Sequence, residues 1–165
     1  MEISSLKKKP HTGTSMIQPR ILIADDHSMI RKGLKLYLQL TIGQQDVDEA
    51  ASCAELMSAL VKKKYTHLVL DIIMGDGSTL EIIPNIKRVY PDLQMMVFSM
   101  QPDEIYGEAL KQYGISCYLS KTAGEEEIIN VLNNFICNES TISVKTMLQR
   151  QDNPFSALAP RELEI

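Results

Sequence analysis

No stretch of this chain approaches the roughly 20 apolar residues needed to span a bilayer. Positive charge is short as well: 17 Lys and Arg stand against 21 Asp and Glu, a net charge of −4. Nonspecific nucleic-acid binding needs a positive excess to neutralise phosphates, so the chain as it stands is not expected to hold DNA. Cysteine is sparse, with Cys53, Cys117 and Cys137 at spacings that suit no metal site. An odd count of that kind reads as reduced thiols, and so as a cytoplasmic protein. A signal sequence is lacking too. Lys7-Lys8-Lys9 runs into Pro10, His11, Thr12 and Gly13, not into an apolar core. Internal repeats and low-complexity segments are absent.

What remains is a globular composition, 44% hydrophobic, enough for one domain of ordinary size with some chain to spare. Residues 1–19 are polar, hold Pro10, Gly13 and Pro19, and read as a flexible leader. From Arg20 onward, short apolar runs alternate with helical patterns. Ile21-Leu22-Ile23-Ala24, a weaker run near Val47, His67-Leu68-Val69-Leu70, Met95-Met96-Val97-Phe98 and the run from Ile115 to Leu119 read as strands. Ile30, Leu34, Tyr37, Leu38 and Thr41 recur at helical spacing and predict a first helix of about four turns. Ser52…Glu55, Ser78…Glu81 and Thr122…Glu125 each match a capping box, each just after a strand. They open a second helix over 54–64, a third carrying Leu80, Ile83, Ile86 and Val89, and a fifth over 125–136. Pro84 predicts a kink or a late start in the third. The fourth spans 103–113 and stops at Gly114. Strands and helices in strict alternation predict an α/β fold, a parallel sheet covered on both faces. Ile142, Val144, Met147 and Leu148 offer one more short helix in a linker over 138–153, and Pro154 breaks the chain again.

In an open α/β sheet, function gathers beyond the carboxyl ends of the strands. There the first strand runs into Asp25-Asp26, the third into Asp71, the fourth into Ser99 and the fifth into Lys121. Three carboxylates, a hydroxyl and an ammonium at one edge suit Mg²⁺ and the acceptance of a phosphoryl group. Taken alone, Asp25-Asp26 would serve equally as an acidic turn at a helix N-terminus. Alone, Ser99 would be a strand-end serine and Lys121 a solvated lysine. Asp71 is harder to dismiss, because a carboxylate set against Leu68-Val69-Leu70 loses solvation unless a cation or donors satisfy it. It can act as a nucleophile and form an acyl phosphate. Lys121 offers a point charge, and Ser99 a hydroxyl, to phosphate oxygens.

On these residues, the stretch 20–137 resembles the response-regulator receiver domain of two-component signalling. The family's acidic pair, phosphoacceptor, switch hydroxyl and paired lysine fall on Asp25-Asp26, Asp71, Ser99 and Lys121. Its switch aromatic, three residues before the lysine, falls on Tyr118. The resemblance implies a doubly wound, flavodoxin-like (βα)5 fold with strand order 2-1-3-4-5. It implies a signalling protein, not an enzyme, that takes a phosphoryl group on Asp71 from the phosphohistidine of a sensor histidine kinase. Mg²⁺ would be held by Asp26, Asp71 and the backbone carbonyl of Ile73, with Asp25 acting largely through water. Phosphorylation would draw Ser99 inward and let Tyr118 turn, reshaping the face of the fourth helix, fifth strand and fifth helix. The apolar Ile73 side chain, over the path of hydrolytic water in the family, implies slow self-dephosphorylation. Gly75 and Thr122 stand where many relatives carry proline. The first predicts a more flexible Gly75-Asp76-Gly77 loop. The second means that the bend after Lys121 must form in another way.

Asp25-Asp26-His27 followed by Met29-Ile30-Arg31-Lys32-Gly33-Leu34 is similar to the NarL/FixJ subfamily, as is Lys121 followed by Thr122-Ala123-Gly124-Glu125-Glu126-Glu127-Ile128. Residues 158–165 resemble the opening of a LuxR-type helix-turn-helix domain. Residues 154–165 are therefore expected to begin a DNA-binding domain that is cut short here. The full-length protein would act on promoter DNA, with a homodimer as one route of activation on phosphorylation. The alternative is a stand-alone receiver that docks a partner protein. A haloacid-dehalogenase-type phosphatase would need Asp-x-Asp on one strand. A flavodoxin would need a phosphate loop where Asp25-Asp26 would repel phosphate.

Overall fold

A computed structural model of the protein describes residues 18–115 and 117–137. The leader up to residue 17, the short helix near 142–148, the linker and the 154–165 segment lie outside the described residues. Strand β1 (Ile21–Ala24) leads into helix α1 (Ser28–Tyr37), which widens into a π-helical turn over Leu38–Ile42. Then come β2 (Val47–Ala50), α2 (Cys53–Lys62) and β3 (His67–Leu70). A small hairpin, β4 (Ile73–Met74) and β5 (Gly77–Ser78), precedes a 3-10 turn at Thr79–Glu81 and α3 (Ile83–Val89). The series closes with β6 (Gln94–Ser99), α4 (Asp103–Gln112), β7 (Cys117–Ser120) and α5 (Glu125–Cys137). The five long strands form one sheet in the order β2-β1-β3-β6-β7, every pair parallel. Counted within that sheet, this is the 2-1-3-4-5 order of a doubly wound receiver fold.

Strand alternation sorts the core into two layers. Ile21 and Ile23 of β1, Val69 of β3, and Met96 and Phe98 of β6 meet Leu34 and Leu38 of α1 and Leu132, Phe135 and Ile136 of α5. Leu22, Ala24, Leu68, Leu70, Met95 and Val97 face the other way, onto Leu56 and Leu60 of α2, Ile83 and Ile86 of α3, and Leu110 of α4. Strands buried on both faces need continuous apolar runs, which is why β1, β3 and β6 stand out in the sequence.

The helix boundaries refine the sequence expectations. The π turn inserts an extra residue per turn, so Ile42 packs on the core and Thr41 is exposed. Pro84 lies in the first turn of α3, so its missing N–H costs no helical bond and the helix starts late. Ser52 caps α2 by accepting the Glu55 N–H at 3.1 Å. The Glu55 carboxylate reaches back to Ala51 N–H at 2.7 Å, one residue before the expected partner. Ser78 caps the 3-10 turn through Leu80 N–H at 3.3 Å. Thr122 does not cap α5 in the expected way; its hydroxyl pairs with Ser120 at 2.7 Å. Helix α4 ends as foreseen at Gly114, φ 71°, in a left-handed conformation. The Gly114 and Ile115 amides close a Schellman motif on the carbonyls of Lys111 and Leu110, at 3.1 and 3.2 Å. Among the described residues, no helix is long and apolar enough to cross a membrane.

Candidate functional site

The parallel register places the chemistry. One backbone bond beyond each strand end extends the ladder: Asp25 N–H to Ala50 O at 3.0 Å, Asp71 N–H to Ala24 O at 2.9 Å, and Lys121 N–H to Ser99 O at 2.9 Å. Asp25, Asp71, Ser99 and Lys121 are thereby fixed on one edge of the sheet by backbone geometry alone. Lys121 Nζ lies 2.6 Å from Asp25 Oδ2 and 2.7 Å from Asp71 Oδ2. All three side chains are almost fully buried. Burial, the largest influence on Lys121, disfavours its charge, but the hydrogen bonds and charges of Asp25 and Asp71 outweigh it and raise the lysine pKa. The lysine is therefore a fixed cation.

Asp25 sits at the centre of the pocket. Besides Lys121, its Oδ1 accepts the His27 backbone N–H at 2.8 Å and lies 2.9 Å from His27 Nδ1. Asp26 is more open, 32% exposed at its side chain, with Oδ1 3.1 Å from His27 Nδ1. Its Oδ2 lies 3.7 Å from where a Cβ on Gly75 would stand. The ligand atoms of Asp25, Asp26, His27 and Asp71 all lie within 4.8 Å of one another. Convergent hard oxygens, more numerous than the one lysine can neutralise, fit a divalent cation.

Ser99 is buried at the end of β6, and its Oγ accepts the Gln101 N–H at 3.3 Å. Tyr118 is half-buried on β7 and donates its hydroxyl to the Gln101 carbonyl. The two expected switch residues are thus tied to one peptide stretch. Ile73 opens β4 with its side chain about half-exposed. The bend after Lys121, where many relatives have proline, is made by hydroxyls: Ser120 Oγ accepts Thr122 N–H at 3.1 Å and pairs with Thr122 Oγ1. The Gly75-Asp76-Gly77 loop is not loose. It is the turn of the β4–β5 hairpin, and the Asp76 carboxylate accepts Cys53 N–H at 2.8 Å and Ala54 N–H at 3.1 Å, capping α2. Gly77, φ 150°, supplies the conformation that closes the hairpin.

Four supporting residues escape a motif search. Thr79, fully buried, directs Oγ1 to the Asp71 carbonyl at 2.7 Å and the Ile72 carbonyl at 3.1 Å, holding the peptide that carries the acceptor. Arg31 Nη1 donates to the Asp25 carbonyl at 2.6 Å, and its Nε to Glu49 at 3.3 Å. Asp76 anchors the hairpin, and His27 lies against the rim of the acidic pocket. His27 and Arg31 left a sequence signal, their places in the stretch that follows the acidic pair, but not one for these contacts. Cys53 and Cys117 are poor thiolate formers. Burial, helped by Asp76, pushes the Cys53 thiol to about 11, and burial pushes Cys117 to about 12.

Comparison with known proteins agrees with this geometry. The family model for the response regulator receiver domain matches residues 21–133. The response regulator GacA of Pseudomonas protegens is 30% identical over 155 residues, covering 88% of this chain and 72% of GacA. The oxygen regulatory protein NreC of Staphylococcus carnosus is 28% identical over 161 residues, covering 88% of this chain and 74% of NreC. Among solved structures, RcsB from Salmonella enterica serovar Typhimurium, bound to the rprA promoter with the phosphomimetic BeF3⁻, superposes with a TM-score of 0.68 at 24% identity, covering 86% of this chain and 68% of that one. At that identity the superposition speaks to fold alone. The chain belongs to the response-regulator receiver family of two-component systems, with relatives consistent with the NarL/FixJ subfamily.

Proposed function

We propose that Asp71 accepts a phosphoryl group from the phosphohistidine of a sensor histidine kinase. The carrying observation is the buried Asp71 carboxylate at a strand end, 2.7 Å from a lysine that stays charged. In the transfer the phosphorus–nitrogen bond to the kinase imidazole breaks and a phosphorus–oxygen bond to Asp71 forms. Such transfer asks for positioning and charge neutralisation more than for covalent help. Lys121 and the Thr79-held backbone position the acceptor, and Lys121 meets charge on the phosphoryl oxygens. Asp26, Asp71 and the Ile73 carbonyl would hold Mg²⁺, with Asp25 beside them. When bound, Mg²⁺ supplies the remaining charge neutralisation.

The output follows from Gln101. A phosphoryl group on Asp71 offers an acceptor to the Ser99 hydroxyl, which turns toward it and gives up the bond that it accepts from the Gln101 N–H. Tyr118 then leaves the Gln101 carbonyl and turns inward, changing the face of α4, β7 and α5. In the full-length protein this face controls a helix-turn-helix domain on promoter DNA, in the cytoplasm, by domain release or homodimer formation. Support comes from the resemblance of residues 158–165 to the opening of a LuxR-type helix-turn-helix domain.

Intact-mass measurement after acetyl phosphate and Mg²⁺ tests the acceptor. One phosphoryl adduct is expected for the wild type and none for Asp71→Asn. An equal rate in that variant would overturn the assignment. Gel shifts should show salt-sensitive binding for the full-length protein and none for residues 1–165. Tight, selective binding by 1–165 alone would overturn the DNA reading.

A further inference from the structure

Resting on that reading of the site, we propose that His27 is a direct metal ligand that shifts the centre's preference from Mg²⁺ toward borderline dications such as Mn²⁺ and Ni²⁺. His27 is the N-cap residue of α1, yet its side chain makes no capping bond. The ring, 61% exposed, lies against the rim of the pocket. Nδ1 lies 2.9 Å from Asp25 Oδ1, 3.1 Å from Asp26 Oδ1 and 3.9 Å from Asp71 Oδ2.

Two of these spacings match a coordination shell. Octahedral bonds of about 2.1 Å put adjacent donors ~3.0 Å apart and opposite donors ~4.2 Å apart. The distance to Asp26 equals an adjacent edge and the distance to Asp71 approaches a diagonal, whereas the shorter contact with Asp25 is a hydrogen bond. Lys121 engages Oδ2 of both Asp25 and Asp71, so Asp25 Oδ1 and Asp26 Oδ1 are the oxygens facing the imidazole. The His27 amide bonds to the same Asp25 Oδ1 at 2.8 Å, which keeps ring and carboxylate on one side of the turn.

The chemistry of a nitrogen donor then sets the preference. Carboxylates and water suit Mg²⁺, which gains little from imidazole, whereas later first-row ions bind imidazole well. An all-oxygen centre would already rank these ions by the general affinity order, so the effect of His27 is read as a change in ratio.

The test uses the whole chain, stripped with chelator. Calorimetric titrations with Ni²⁺ and with Mg²⁺ are compared for wild type and His27→Phe, and pulsed EPR is recorded on the Mn²⁺-loaded proteins. The wild-type Mn²⁺ spectrum should carry nitrogen modulation that disappears in His27→Phe. The Ni²⁺ to Mg²⁺ affinity ratio should fall by about tenfold or more in the variant. Bound Mn²⁺ without nitrogen coupling in the wild type overturns the His27 role and leaves the carboxylate centre standing, even if the variant fails to fold. Nitrogen coupling or an affinity ratio that persists in a folded His27→Phe overturns it as well. No Mn²⁺ binding at all removes the carboxylate centre itself, and the His27 role with it.

Discussion

Lys121 Nζ sits between two carboxylates, 2.6 Å from Asp25 and 2.7 Å from Asp71, so one buried ammonium joins the ends of β1, β3 and β7. Removing it would leave two buried carboxylates facing each other. Breaking a buried pair costs more than the pair is worth, because the surviving charge is stranded. Lys121→Met should therefore lower the unfolding free energy by about 3–5 kcal/mol without metal. Urea unfolding in EDTA measures this. A loss under about 1 kcal/mol would mean that Asp25 and Asp71 are not coupled through the lysine.

The opposite sign is expected at Asp26. Its carboxylate adds charge to a pocket in which one lysine already serves two others, and no lysine pairs with it among the described residues. Asp26→Asn should raise the metal-free Tm by roughly 2–4 °C. The same change should abolish stabilisation by Mg²⁺. For the wild type that stabilisation grows with concentration, reaching about 2.7 kcal/mol at a hundredfold excess over Kd. Thermal melts with and without Mg²⁺ separate the two effects. A lower metal-free Tm in Asp26→Asn would contradict the charge argument.

Thr79 predicts a defect with no change of charge. Thr79→Val keeps the volume and removes the hydroxyl that serves the Asp71 and Ile72 carbonyls. A buried carbonyl without its donor costs about 1–3 kcal/mol. The variant should lose that much stability and also phosphorylate more slowly with acetyl phosphate, since the Asp71 peptide loses its tether. Destabilisation with an unchanged rate would make Thr79 purely structural.

Stability should also depend on pH through His67. Its ring packs edge-on against Phe135, centroids 5.1 Å apart, at the base of β3. Burial, the larger influence, holds its pKa below the usual 6.5, against an opposing hydrogen bond with the Phe135 backbone. The unfolded chain therefore takes up this proton first. The contribution is complete above about pH 6.5 and is lost as pH falls from there to the folded-state pKa. Unfolding free energy should drop between pH 7.5 and 5.5, and the drop should shrink in His67→Leu. An equal slope in both proteins would assign the titration elsewhere.

The parts of the molecule that could be read from sequence are those where one rule dominates. Leu68-Val69-Leu70 ending at Asp71 is visible because a strand buried on both faces admits few residues. The edge strand β2 is faint because Asp48 and Glu49 lie only partly buried in its middle. The β4–β5 hairpin was hidden, since two residues per strand leave no period to detect. Thr79, Arg31 and Asp76 act through backbone groups 8, 6 and 23 residues away, and no helix or strand period encodes such a partner. The order of site residues is thus legible, whereas what holds them in place is a tertiary property.

The lifetime of the phosphorylated state should depend on Ile73. It begins β4, two residues past Asp71, and about half of its side chain is exposed. An apolar branched group there cannot hydrogen-bond a water and align it for attack on an acyl phosphate. Replacing it with an amide supplies both a donor and an acceptor at the same place. The hairpin register, Ile73 opposite Ser78, uses backbone groups and leaves the side chain free to change. Ile73→Asn should therefore shorten the half-life of phospho-Asp71 by about tenfold, a barrier change of roughly 1.4 kcal/mol. The decay is followed by intact mass after removal of acetyl phosphate, with Mg²⁺ held constant. A half-life equal to or longer than that of the wild type would show that hydrolysis is limited elsewhere. The amide of Gln101, two residues past Ser99, is then the side chain to remove.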